Sequence, residues 1–262
     1  MSPDLPDARR IRDLLRASMW GPLEVVPTTG STNADLAERA RSGAPEGAVL
    51  IASEQTAGRG RLDRQWVSPA GSSVSMSLLL RPTPAFPQWG WLSLLAGMAV
   101  AAALSDVASS AGSVTLKWPN DVLIGGRKVC GILSERVEHP DGARAVVGIG
   151  INVALTQAEL PVPEATSLLI EGMPTDQSVL AASVLDHFAE LYRRWQISGS
   201  LRGEYEARCA SVGAPLTIQV DPRHRVEGTG RGVDEFGRLQ VATAGGIETF
   251  AVGDVVHAKL GR

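Results

Sequence analysis

The sequence predicts an α+β domain followed by a compact β-barrel. Three observations carry this. Short apolar runs at 48–52, 74–80 and 145–152 read as buried strands, whereas 89–108 and 177–198 have the length and apolar content of helices. Beyond Val212 the pattern changes to strands of a few residues, broken by turns at Asp221-Pro222 and Glu235-Phe236-Gly237. The 262 residues suffice for one medium domain and one small one, here divided as 1–212 and 213–262.

In chain order, a short helix is expected over Ala8–Ala17, then a strand over Leu23–Val26. Thr32 followed by Asp35 resembles a capping box, with Leu36 and Ala40 on the buried face of the next helix. Gln55 to Trp66 is expected to be a loop between strands 48–52 and 74–80. The apolar segment Trp91–Leu104 is too short to span a bilayer and reads as a core helix. Strands around Lys117, Val122–Ile124 and Lys128–Leu133 follow, with a Gly125-Gly126 hairpin turn between the last two. A second hairpin turns at His139-Pro140-Asp141-Gly142, ahead of the 145–152 strand. Residues 153–176 are irregular. Leu180, Val184, Leu185, Phe188, Leu191, Tyr192 and Trp195 form the stripe of a long helix, and Leu201–Ala210 a second one.

Composition limits the function classes. A net charge of −3 argues against a general nucleic-acid binder. Two cysteines, Cys130 and Cys209, fit a reducing cytoplasm better than a disulfide framework, and the polar N-terminus does not read as a signal peptide. The four histidines show no metal spacing. Arginine fills 22 of the 25 basic positions, so Lys117, Lys128 and Lys259 mark places where a compact ammonium is of use.

The densest chemistry lies in Gln55-Thr56-Ala57-Gly58-Arg59-Gly60-Arg61-Leu62-Asp63-Arg64-Gln65-Trp66. Guanidinium groups pair with carboxylates and phosphates, and glycines let backbone approach a ligand. No Gly-Lys-Ser/Thr follows, so this is no P-loop, and Asp63 stands where a dinucleotide fingerprint needs glycine. Other residues admit two readings at this level. Ser31, Thr32 and Asn33 either cap a helix or meet a polar ligand head. Asn120 and Asp121 either fix the turn after Pro119 or join a site, and Lys128 is either a surface hairpin lysine or a functional one.

Four blocks in order resemble the biotin–protein ligases: Gly30-Ser31-Thr32-Asn33; the glycine–arginine stretch through Trp66; Lys117-Trp118-Pro119-Asn120-Asp121 with Lys128-x-x-Gly131-Ile132-Leu133-x-Glu135; and Gly148-Ile149-Gly150-Ile151-Asn152. The resemblance implies a mixed β-sheet with flanking helices, like the class II aminoacyl-tRNA synthetase catalytic domain, plus a small SH3-like barrel. It implies activation of biotin by ATP with Mg2+ to biotinyl-5′-AMP, then transfer to a lysine of a biotin carboxyl carrier domain of an acyl-CoA or pyruvate carboxylase. Lys117 and Arg61 are the implied catalytic residues. Ser31, Thr32, Asn33, Gln55, Gly58, Arg59, Gly60, Lys117, Gly131, Gly148 and Gly150 are implied to hold biotin. Arg59, Arg61, Arg64, Trp66, Lys117, Asn120 and Asn152 are implied to hold the nucleotide. No protein metal ligand, nucleic acid or membrane is implied. The chain is expected to be a monomer or weak homodimer without the winged-helix domain of bifunctional relatives. Lipoate or octanoate transfer, and biotin-responsive repression, are the alternatives.

Overall fold

The computed structural model describes residues 5–61, 64–107, 113–221, 223–251 and 253–257. Its larger sheet has eight strands: β1 (Leu23–Thr29), β2 (Val49–Arg59), β3 (Gln65–Ser68), β4 (Ser73–Leu80), β5 (Val114–Lys117), β6 (Asp121–Ile124), β7 (Arg127–Val137) and β8 (Arg144–Asn152). The spatial order is β1-β2-β4-β8-β7-β6-β5, with β3 paired to β2. β1 and β2 are parallel and the other ladders antiparallel, so the sheet is mixed, as expected.

Helices cover both faces. On one, α3 (Trp91–Val107) and α4 (Gln177–Ser198) pack over Val49, Ile51, Met76, Leu78 and Val147. On the other, α2 (Thr32–Arg41) sets Leu36, Ala37 and Ala40 against Leu50, Leu79 and Val146. The alternation Leu78/Leu79 shows why β4 reads as an unbroken apolar run at its end: each side chain meets a different helix layer. Each fully buried leucine contributes about 1.5–3 kcal/mol.

Asp7 caps α1 (Ala8–Leu14) by accepting from the Arg10 N–H, and the helix ends three residues before the expected Ala17. The capping-box expectation fails. The N-cap of α2 is Ser31, whose side chain makes no capping bond, and Asp35 instead accepts from the Thr29 hydroxyl. α5 covers only Arg202–Glu206, because the chain leaves the helix to pair Cys209 with Leu116 of β5. The helical stretch Phe86–Val107, with its 3-10 entry, is long and apolar enough to cross a membrane, contrary to the shorter span read from sequence. Here it lies between sheet and α4, with Trp91, Leu95 and Leu104 buried.

The C-terminal part is an antiparallel five-stranded sheet: β9 (Pro215–Asp221), β10 (His224–Val233), β11 (Leu239–Thr243), β12 (Gly246–Phe250) and β13 (Asp254–His257). It runs as a meander from β9 to β12, and β13 returns to pair with β9. Trp118 fastens this sheet to the larger one: its ring is buried and its indole N–H donates to Gly237 O at 3.0 Å.

Candidate active site

One row of the large sheet organises the site. Ser75, Gly150, Gly131, Asp121 and Lys117 lie directly opposite one another on successive strands β4, β8, β7, β6 and β5. Directly opposite residues share a face, so the row presents a hydroxyl, two bare backbone positions, a carboxylate and an ammonium in sequence. Strand spacing of about 4.8 Å makes it roughly 19 Å long. It opens into a cavity of about 310 Å³, lined also by the start of α2, by the arginine segment and by Asp254 and Val255 of the C-terminal sheet.

The glycine–arginine segment is a hairpin rather than a loop. β2 continues through Arg59, and Gly58 and Arg59 pair with Trp66 and Gln65 of β3. Gly58 is required by the hairpin itself, since a Cβ there would stand 2.4 Å from the Trp66 carbonyl oxygen. Leu62 and Asp63, within this segment, lie outside the described residues. The hairpin folds over the row as a flap, and the Trp66 ring lies on the glycines. A Cβ on Gly150 would be 2.5 Å from Trp66 Cε2, and one on Gly131 would be 3.1 Å from Cζ3. The buried Trp66 indole N–H has no partner among the described residues. An orphaned buried donor costs about 1–3 kcal/mol.

Protein groups hold the flap down. Arg59 pairs with Glu135 at 2.8 Å, and Arg64 with Asp254 of β13. Arg61 donates to Asn120 Oδ1 at 3.1 Å and to Gly253 O at 3.3 Å. Burial lowers the Arg61 pKa, Asp121 opposes that and Arg64 adds to it. Among the described residues the hydrogen-bond partners of the half-buried Arg61 are neutral, which leaves its charge available to an anion.

The structure adds residues that the sequence reading left undecided. Asp121 lies between two ammoniums, 2.5 Å from Lys128 Nζ and 3.7 Å from Lys117 Nζ. Lys128 leans over the middle of the row: a Cβ on Gly131 would be 3.3 Å from its Nζ. The alternation of β7 gave no hint of this, because a register shift between Val122 and Leu123 turns Lys128 inward. Asp254 could not be linked to Arg64 from sequence, since the two are 190 positions apart.

Ser31, Thr32, Asn33, Gln55, Arg59, Gly60, Arg61, Arg64, Trp66, Lys117, Asn120, Gly131, Gly148 and Gly150 all line the cavity. Three positions do other work, and Gly58, which shapes the hairpin, is not among the lining residues. The space above Gly148 is filled by Asn33, whose Oδ1 would be 2.3 Å from an added Cβ. Asn152 is not among the lining residues; it is buried and donates to Thr166 O at 3.0 Å, fixing the irregular 153–176 segment. Cys130 is buried beside the row, and desolvation pushes its thiol well above the usual range.

A floor of bare backbone suits a flat ring, and cations on opposite walls suit two anionic groups brought together. Such a layout can bring a carboxylate and a phosphate together over the sheet. Residues 25–152 match the biotin/lipoate A/B protein ligase family, and 217–258 the biotin protein ligase C terminal domain. A biotin--[acetyl-CoA-carboxylase] ligase of Mycobacterium tuberculosis is 40% identical over 97% of this chain and 96% of its own length. A ligase of the same name from Paracoccus denitrificans is 34% identical over 87% and 97%. The bifunctional ligase/repressor BirA of Escherichia coli is 30% identical over 90% of this chain and 74% of its own. The biotin protein ligase of Aquifex aeolicus, solved with biotin and ATP, aligns with a TM-score of 0.75 at 28% identity, covering 92% of this chain and all of that one. The chain belongs to the biotin protein ligases.

Proposed function

We propose that this chain activates biotin with ATP and transfers it to a lysine of a carboxyl carrier domain, that of acetyl-CoA carboxylase, in the cytoplasm. The observation that carries this reading is the row itself, with bare Gly131 and Gly150 flanked by Lys128 and covered by the arginine flap. The biotin rings lie over the glycines once the Trp66 ring that covers them has moved aside, with the head toward Thr32 and Gln55. The carboxylate then points toward Lys128 and Lys117.

In the first step a biotin carboxylate oxygen attacks the α-phosphorus of ATP, and pyrophosphate leaves with the electron pair of the broken P–O bond. Two anions must meet, so positive charge has to be fixed where it accumulates. Lys128 is better placed for this than Lys117, since it reaches the middle of the row whereas Lys117 closes its end. Asp121 pairs with both ammoniums and orients them. Arg61 retains the adenylate, and Trp66 keeps water from it. In the second step the acceptor amine attacks the acyl carbon and AMP departs.

The cavity carboxylates do not offer Mg2+ a cage. Asp121 faces lysines and Asp254 faces Arg64, and among the described residues no group of three or more His, Cys, Asp or Glu could hold a metal. Mg2+ belongs to the MgATP substrate. The division at 212/213 gives the C-terminal sheet a role as abutment for the flap, through Gly253 and Asp254. The test is pyrophosphate release from ATP with biotin or lipoate, then AMP release on adding a carrier domain. Release with lipoate but not biotin would overturn the reading.

A further inference from the structure

Lys128 faces the cavity because β7 carries one extra residue. Lys128 pairs with Leu123 of β6 and Cys130 with Val122, so Val129 is the extra residue between them. Such a bulge re-aims a side chain and disrupts the ladder around it. Val129 and Cys130 both bury in the core, while Lys128 and Gly131 both line the cavity. β8 does not reach far enough to steady the bulge. It pairs with β7 only as far as Ile151, opposite Cys130, and ends at Asn152. Residues 164–166 take its place. The Lys128 N–H donates to Glu164 O and the Lys128 carbonyl accepts from the Thr166 N–H, both at 2.8 Å. Ala165 and Lys128 thereby form a parallel bridge.

Side chains hold this segment in place. Asn152 Nδ2 donates to Thr166 O at 3.0 Å. The Thr166 hydroxyl donates to Glu171 Oε1 at 2.6 Å, and Arg127 Nη2 donates to the same oxygen at 2.7 Å. Thr166 is fully buried and the Glu171 side chain only 10% exposed. One carboxylate oxygen therefore staples the segment to the residue just before Lys128 on β7. Hydrogen bonds to an ionised acceptor are about twice as strong as neutral ones. Asp121 holds the tip of Lys128, at 2.5 Å from Nζ, and the staple holds its root. We propose that Glu171 is a positioning residue: by fastening residues 164–166 to β7 it aims the Lys128 ammonium into a cavity that Glu171 itself does not line. The proposal rests on Lys128 acting in the adenylation step.

The test is single-turnover pyrophosphate release from ATP and biotin in the parent, Glu171→Ala, Lys128→Ala and the double variant. Misplacing a reacting group by 1 Å costs up to about 100-fold in rate. Glu171→Ala should therefore slow the step about tenfold or more, with the half-saturating biotin concentration within about threefold of the parent's. In the Lys128→Ala background the same change should cost less than about twofold, because the side chain it aims is gone. Thr166→Val, which keeps the shape and both backbone bonds but loses the hydroxyl donor, should show the same dependence on Lys128, and it carries the test if Glu171→Ala does not fold. Thr166→Ser keeps the donor and should stay within about threefold of the parent. Equal losses with and without Lys128 would mark a role in folding alone and overturn the proposal. So would parent-like rates in both Glu171→Ala and Thr166→Val, or a Thr166→Ser protein as slow as Thr166→Val. A Lys128→Ala protein as fast as the parent would instead remove the role given to Lys128, and the proposal with it.

Discussion

Replacing Gly150 by alanine tests how floor and flap fit together. The added methyl would stand 2.5 Å from Cε2 and 2.6 Å from Cζ2 of Trp66. Carbon atoms settle near 3.5–4.0 Å, so the ring must retreat by about 1 Å. It cannot do so by sliding toward β2, because Gly58 already lies close under the Trp66 carbonyl. The hairpin must lift, straining the Arg61 contacts to Asn120 and Gly253. Overpacking of this kind costs about 1–3 kcal/mol, which is roughly 5- to 150-fold in any equilibrium that needs the closed flap. The same methyl stands where the biotin rings would lie, so calorimetry should show biotin Kd raised by about 5-fold or more, with indole emission shifted toward the solvent-exposed value. The midpoint of thermal unfolding should move by no more than about 4 °C, since the clash is relieved at the flap. Gly30→Ala is the control: nothing lies within 4 Å of a Cβ there. A Gly150→Ala protein that binds biotin within about twofold of the parent, with unchanged emission, would refute the reasoning.

Three further outcomes follow from the same geometry. Lys128→Ala should lower biotin-dependent pyrophosphate release by about 100- to 1,000-fold, and Lys117→Ala by less, in a single-turnover assay; equal losses would return the leading role to Lys117. Arg61→Ala should release the adenylate and label an unrelated lysine-rich protein, detected by streptavidin blotting, and retention as tight as the parent's would remove that role from Arg61. Cys130 and Cys209 are both buried, and the raised Cys130 pKa leaves little thiolate at pH 8, so neither should react with a thiol reagent until the chain unfolds. Stoichiometric labelling of the native protein would contradict this.

The sequence made the chemistry more legible than its geometry. Lys117 stands out as one of three lysines, whereas Gly131 and Gly150 were marked as site residues by the resemblance to the biotin–protein ligases. Their alignment in one row depends on the registers of β5 to β8, which no local pattern specifies. The arginine segment looked like a loop because glycine and arginine lack strand propensity. Pairing with β3 overrides that preference, and the alternation at Gly58 and Trp66 is too short to announce it. Lys128 turned inward through a bulge, and Asp254 reached Arg64 from another sheet. Asn152 was misleading for a different reason: a polar residue ending a glycine-rich strand looks the same whether it meets a ligand or a neighbouring loop carbonyl.

The most direct measurement is the structure of this chain with biotinyl-5′-AMP bound. The account predicts fused rings over Gly131 and Gly150 with the Trp66 ring moved off them, and a phosphate between Arg61 and Lys128. A phosphate seated away from both cations, or rings lying off the two glycines, would contradict it.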